Sequence, residues 1–166
     1  GVSIFLEALG RLPAPTRARV RGLVIGKEIR MERYRNLAQQ AGLGNRIQFL
    51  EPKPQIERYY HALDCYAFPA YYEEFGMCVQ EAMACGVPVL TTAQVGAAEL
   101  LGEETLRSLQ KKPEAESFRL RLAGIINDAA LRCRLSEEGL ASCRQNTWEK
   151  NFERTWACCE PLLRPP

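Results

Sequence analysis

Four short apolar runs, each leading into or out of a stretch with apolar residues at helical spacing, constrain this chain more than any other feature. Val20 to Ile25 reads as a buried strand closed by Gly26. Met31, Tyr34, Leu37, Ala38 and Ala41 then mark one face of a helix stopped at Gly42. The unit repeats: Ile47 to Leu50 is strand-like, and Ile56, Tyr59, Tyr60 and Leu63 mark a helix. Cys65 to Phe68 is a third run ended by Pro69, residues 76–85 have helical character up to Gly86, and Val87 to Leu90 is the fourth run. Parallel strands need a crossover, usually a helix, so this alternation predicts an α/β fold: a Rossmann-like parallel sheet with helices on both faces. After Leu101 the pattern turns wholly helical, with Phe118, Leu122, Ile125 and Ile126 on one stripe, then Leu131 to Cys143, then Trp148, Phe152, Trp156 and Leu163. Those helices are expected to pack on the sheet.

The size, 166 residues, suits a single domain over 1–166. The formal charge of +2 is too balanced to imply nucleic acid or an anionic membrane as a partner. No apolar run approaches the roughly 20 residues that span a bilayer, and no signal peptide opens the sequence. Seven cysteines, never in a C-x-x-C pair, argue against a disulfide framework or a zinc site. They are expected to be small, reduced core residues in a cytoplasmic protein. The chain opens in helical periodicity with no capping residue, so the domain is expected to be truncated at its N-terminus, with the first helix or a sheet edge exposed around Val2, Phe5 and Leu9.

In open α/β sheets, ligands bind outside the carboxyl ends of the strands. The loop after Phe68 is the richest of these, running Pro69-Ala-Tyr-Tyr-Glu-Glu-Phe-Gly-Met-Cys-Val-Gln-Glu81. A helix starting near Gly76 would offer unpaired N–H groups and a positive dipole end to an anion, and a diphosphate suits it. Glu73 lies before that helix and Glu81 about one and a half turns inside it, roughly 7.5 Å along the axis. A carboxylate accepts hydrogen bonds from vicinal hydroxyls, so a nucleotide sugar, with ribose, diphosphate and sugar in series, matches the order of groups. Glu74 and Glu81 could instead be solvated helix-start carboxylates favoured by the dipole.

Glu73-Glu-Phe-Gly-Met-Cys-Val-Gln-Glu81-Ala-Met-Ala-Cys-Gly86-Val-Pro88-Val-Leu resembles the E-x7-E motif of retaining nucleotide-sugar glycosyltransferases of the GT-B fold, in their C-terminal, donor-binding half. Val24-Ile-Gly26, Leu43-Gly-Asn-Arg46-Ile-Gln-Phe49, Tyr60-His-Ala-Leu-Asp64 and Gly96-Ala-Ala-Glu99 resemble further family segments. Pro69-Ala-Tyr-Tyr-Glu and Pro88-Val-Leu-Thr-Thr are most similar to bacterial lipopolysaccharide-core glucosyltransferases, although those tend to have small residues where Phe75 stands. The resemblance implies one half of a GT-B enzyme that moves a hexose, with glucose from UDP-glucose favoured, to a glycan or glycolipid acceptor such as lipopolysaccharide core. It implies Glu73 as the catalytic-site carboxylate on the transferred sugar and Glu81 on the ribose. Phe75, Gly76, Met77 and Cys78 would offer backbone N–H groups to sugar and diphosphate, with Gly26 near phosphate and Lys53 and Pro54 near the base. Glu51 replaces a usual glycine beside that base site.

No metal or other cofactor is implied. The acceptor domain and the Arg and Lys that neutralise the diphosphate would precede this chain, so the isolated domain is expected to be inactive. Peripheral contact with the inner face of a membrane is open to the full-length protein. A non-catalytic nucleotide-sugar binding module is the alternative. A hydrolase using the two acids as acid and base is disfavoured, because the helix dipole lowers carboxyl pKa values and opposes a general acid. Lys27 reads as a solvated loop residue, His61 as structural, and Trp148 and Trp156 as packing residues.

Overall fold

The computed structural model describes residues 1–27, 31–102 and 112–163. Helices α1 (Val2–Gly10) and α2 (Ala14–Arg19) lead to β1 (Gly22–Ile25), α3 (Met31–Gln40) and β2 (Ile47–Leu50). The short α4 (Glu57–Tyr60), β3 (Tyr66–Phe68), α5 (Met77–Ala84) and β4 (Val89–Thr91) follow. Three helices close the chain: α6 (Ala115–Asn127), α7 (Ala129–Gln145) and α8 (Trp148–Leu163). Residues 103–111, part of the stretch expected to be helical, lie outside the described residues.

All strand pairing is parallel: β1 lies beside β2 in register Gly22 to Ile47, and β3 beside β4 in register Tyr66 to Val89. The four expected strands are all parallel and are hydrogen-bonded as two pairs, β1–β2 and β3–β4. They nevertheless share one layer. Val24, Phe49, Ala67 and Leu90, one from each strand, pack on a core formed with Leu6 and Leu9 of α1, Ala38 of α3 and the fully buried Phe118 of α6. Tyr66, Phe68 and Val89 turn to the other side, where Tyr60 of α4 and Val79, Ala82 and Met83 of α5 form a second core. Alternate residues of a strand point to opposite faces, so helices do cover both faces, as the sequence predicts. What separates the pairs is a cavity of about 990 Å³ bordered by β1 and β3.

Of the two outcomes expected near the N-terminal region, an open strand edge is the one seen, since β1 and β3 each pair on one side only and border the cavity. The first helix itself is covered: Ile4, Leu6, Ala8 and Leu9 are buried, while Val2 and Phe5 are half-buried on the cavity wall. Each such side chain contributes about 1.5–3 kcal/mol when removed from water, which anchors α1 against α6 and α3. The last helix does not pack on the sheet, because α8 buries no residue and leaves Trp148 72% and Phe152 69% exposed. Among the described residues α8 has no buried position, and Phe152 and Trp156 stack on each other. The cysteines are not uniformly core: Cys65, Cys78, Cys85 and Cys143 are half-buried and Cys133, Cys158 and Cys159 exposed, all unpaired by disulfides. His61 is exposed at the C-terminal cap of α4.

Candidate functional site

Between β3 and α5 the chain makes a loop, residues 69–76, whose backbone is tied to the segment after β4. The amide of Glu73 donates to Gln94 O at 3.1 Å, and its carbonyl accepts from Gly96 N at 3.1 Å, a one-residue parallel bridge with Val95. Ala97 N donates to Phe75 O at 2.6 Å. From below, the buried hydroxyls of Thr91 and Thr92 donate to Phe68 O at 2.9 Å and Ala70 O at 2.7 Å. Glycine is required twice. Gly76, the N-cap of α5, has φ +84°, and a Cβ there would lie 2.8 Å from Val95 Cγ1. A Cβ on Gly96 would fall on the Glu74 carbonyl oxygen.

This anchored loop fixes where α5 begins. Met77 and Cys78 open the helix, so their N–H groups have no intrahelical acceptor and point, with the positive dipole end, out of the N-terminus. Glu73 is half-buried and precedes that end, while Glu81 is exposed one turn beyond it. The Cys78 thiol lies within the field of both: burial, the largest cause, pushes it above its usual value, and the charges of Glu81 and Glu73 push it further. The structure therefore brings Glu73, Gly76, Met77, Cys78 and Glu81 together. Phe75 and Met77 are about two-fifths exposed at the same end.

Two residues that the sequence reading placed only on a helix and a strand support this group. The buried Tyr60 hydroxyl donates to Glu81 Oε2 at 3.0 Å. The Tyr60 ring meets Tyr66 edge to face at 5.6 Å, and Tyr66 in turn stacks on Phe68. Burial, then the Glu81 hydrogen bond and charge, hold the Tyr60 phenol well above its usual value, so it stays a donor to the carboxylate. The Tyr66 phenol is likewise pushed up, chiefly by burial and then by the neighbouring Cys78 thiol. The signal was present as the Tyr59-Tyr60 pair in an apolar-patterned helix, but periodicity does not tell which of two adjacent tyrosines turns inward.

The remaining expected residues belong to the β1–β2 half. Gly26 follows β1, with open space where a Cβ would stand. Lys53 and Pro54 sit exposed in the loop after β2, next to Gln55 at φ +58°. No hydrogen bond or ion pair joins Gly26, Lys53 or Pro54 to α5. Among the described residues, no group of three or more His, Cys, Asp or Glu side chains is placed to hold a metal ion. No helix among them is long and apolar enough to cross a membrane.

On this parallel α/β layer, the tethered loop and the glycine-opened helix N-terminus offer N–H donors, and a carboxylate on either side of that N-terminus offers hydrogen-bond acceptors. Residues 1–141 match the family described as glycosyl transferases group 1, and the chain belongs to that family. It is 32% identical over 119 residues to D-inositol 3-phosphate glycosyltransferase of Corynebacterium efficiens, covering 70% of this chain and 28% of that protein. It is 29% identical over 113 residues to lipopolysaccharide glucosyltransferase WaaG of Escherichia coli, covering 68% of this chain and 30% of that protein. The chain thus spans less than a third of the length of these relatives. The crystal structure of Anabaena Alr3699/HepE in complex with UDP-glucose superposes with a TM-score of 0.76 at 25% identity, covering 96% of this chain and 44% of that one. The fold is one half of a GT-B glycosyltransferase.

Proposed function

We propose that this domain binds the donor of a retaining hexosyltransferase, moving glucose from UDP-glucose to a hydroxyl of a glycan or glycolipid acceptor held by another part of the full-length protein. The observation that carries the reading is the placement of Glu73 and Glu81 on either side of the α5 N-terminus. The likeness to a protein solved with UDP-glucose and to WaaG supports the choice of donor and a lipopolysaccharide-type acceptor. In this reading the diphosphate sits on the N–H groups of Gly76, Met77 and Cys78. Glu81 accepts from the ribose hydroxyls, Glu73 from the sugar, and Gly26, Lys53 and Pro54 border the phosphate and base.

Negative charge grows on the diphosphate as the glycosidic bond breaks, and preorganised N–H donors and the helix dipole stabilise it without rearranging. In this reading the N–H groups and dipole of α5 supply part of that stabilisation. The protein works in the cytoplasm, in contact with a membrane where its acceptor is a lipid.

Calorimetry with UDP tests the assignment of the two acids. Ribose is common to UDP and UDP-glucose, whereas the sugar is not. Glu81→Ala lowers UDP affinity by roughly ten- to a hundredfold, as expected for a charged hydrogen-bond partner worth about 1.5–3 kcal/mol, and Glu73→Ala leaves it within about twofold. In the full-length enzyme, Glu73→Ala lowers the transfer rate. Equal loss of UDP affinity in both variants overturns the two-ended assignment, and no loss in either removes the nucleotide from this cleft. UDP-glucose bound by the full-length protein without transfer to any acceptor would mark a binding module instead.

A further inference from the structure

The loop that carries Glu73 also carries the two most exposed tyrosines of the chain. Tyr34, Tyr59 and Tyr66 are half-buried and Tyr60 is buried, whereas Tyr71 and Tyr72 are 68% and 73% exposed. Their exposure does not come from a loose backbone. The Thr92 hydroxyl donates to Ala70 O on one side of the pair, and the bridge between Glu73 and Val95 holds the other. Among the described residues neither ring stacks on another and neither hydroxyl has a hydrogen-bond partner. Two large apolar faces are thus presented to solvent from a backbone fixed at both ends. A tyrosine has only two side-chain torsions to order, so a ring on such a base takes up a ligand at little entropic cost.

The surroundings of the pair select the charge of that ligand. Residues 59–102 contain Asp64, Glu73, Glu74, Glu81 and Glu99 and no Lys or Arg. Glu73 and Glu74, which follow the rings directly, are in no ion pair among the described residues. A phosphate or carboxylate held against the rings would meet like charge, whereas a neutral group would not. A pyranose meets both conditions. Its C–H groups make its faces apolar enough to lie on an aromatic ring, and the hydroxyls at its edge hydrogen-bond to a phenol or a carboxylate.

We propose that Tyr71 and Tyr72 form a stacking platform for an uncharged pyranose of the acceptor, so that this domain recognises the acceptor as well as the donor. The proposal rests on the donor reading above, because the order of groups along the donor places the acceptor. Ribose at Glu81, diphosphate at the α5 N-terminus and sugar at Glu73 follow the chain backwards into the loop. Tyr72 and Tyr71 are the next residues in that direction, and the molecule beyond the transferred sugar is the one that receives it.

Initial-rate kinetics on the full-length protein test this, with UDP-glucose as donor and methyl hexopyranosides as acceptor probes. Both rings are exposed, so alanine removes no core contact. Tyr71→Ala and Tyr72→Ala each raise the acceptor KM at least about tenfold, as loss of an aromatic anchor does, and leave the UDP-glucose KM within about twofold. Tyr71→Phe and Tyr72→Phe keep the ring face and stay within about threefold of the unaltered acceptor KM. An unchanged acceptor KM in either alanine variant overturns the proposal, and so does an equal rise in the UDP-glucose KM, which assigns the rings to the donor. If the unaltered protein transfers nothing from UDP-glucose, the donor reading fails, and saturation-transfer NMR between the full-length protein and the same pyranosides decides the platform separately. There the signal at the sugar C–H protons falls by at least about half in the double alanine variant. No signal, or the same signal in that variant, overturns the platform. A stronger signal from the 6-phosphates of these pyranosides than from the neutral sugars overturns the uncharged class.

Discussion

The two strand pairs carry their ligand-side loops in opposite ways. After β3, the loop over residues 69–76 is held by the Thr91 and Thr92 hydroxyls and by the bridge from Glu73 to Val95. After β1 and β2, Gly26 stands in open space and Glu51, Pro52, Lys53 and Pro54 are exposed. Buried hydrogen-bonded loops keep one geometry, whereas solvated loops open locally at little cost. If the donor lies across both, its sugar and diphosphate meet a surface already in place, and its base meets one shaped on binding. Reaction geometry is thereby separated from nucleotide choice: the first is built into the packing, and the second can change with a loop sequence.

The largest expected effect breaks this comparison at a glycine in each half. Gly96→Ala puts a methyl group on the Glu74 carbonyl, a backbone atom that cannot swing aside. Urea denaturation is expected to show a loss of about 3 kcal/mol. Gly26→Ala meets nothing within 4 Å and is expected to change stability by less than about 0.5 kcal/mol. Equal costs would mean that the β3-side loop is no more tightly built than its counterpart.

A smaller effect comes from pH. Burial, with the Asp64 charge adding and Arg132 opposing, pushes the Cys65 thiol from 9.0 up to about 12. The folded chain then keeps a proton that the unfolded chain releases, so this contribution is intact below pH 9 and is lost as pH rises toward 12. Between pH 8 and pH 10 the loss is about 1.4 kcal/mol. Cys65→Ala flattens that slope in alkaline unfolding curves. Tyr60 and Tyr66, also pushed up by burial, flank β3 on the opposite face from Cys65, so the β3–β4 half is expected to loosen first in alkali.

How much could be read from the sequence follows the same division. Residues 73–90 were legible because Gly76 and Gly86, both at positive φ, bound α5 at the places their sequence context implies, with Glu73 before the helix and Glu81 one turn inside it. The parallel alternation was legible too, since buried runs between amphipathic helices leave few other packings. The break between β1 and β3 was not. An apolar run says that a strand is buried, not which strand lies beside it. Likewise the stripe Trp148, Phe152, Trp156 announces an apolar helix face, but only the structure reveals that, among the described residues, α8 leaves it exposed. The bridge from Glu73 to Val95 joins residues 22 apart through main-chain atoms, which leave no mark on side-chain pattern.

The smallest expected effect sharpens the comparison inside the tethered half. Tyr60 contributes two separable things: a ring that fills the second core against Tyr66, and a hydroxyl that donates to Glu81. Tyr60→Phe keeps the ring and deletes the donor. Glu81 then remains exposed but is no longer held in one rotamer, so the cost should appear in binding rather than folding. UDP affinity is expected to fall roughly two- to fivefold, equivalent to about 0.4–1 kcal/mol, with the urea midpoint nearly unchanged. The Glu81→Ala background decides whether the hydroxyl acts through the carboxylate. There, Tyr60→Phe should have no further effect on UDP binding, the signature of two residues in one interaction. An additive loss would mean that Tyr60 reaches the nucleotide by another route, and no loss in either background would leave it as core packing alone.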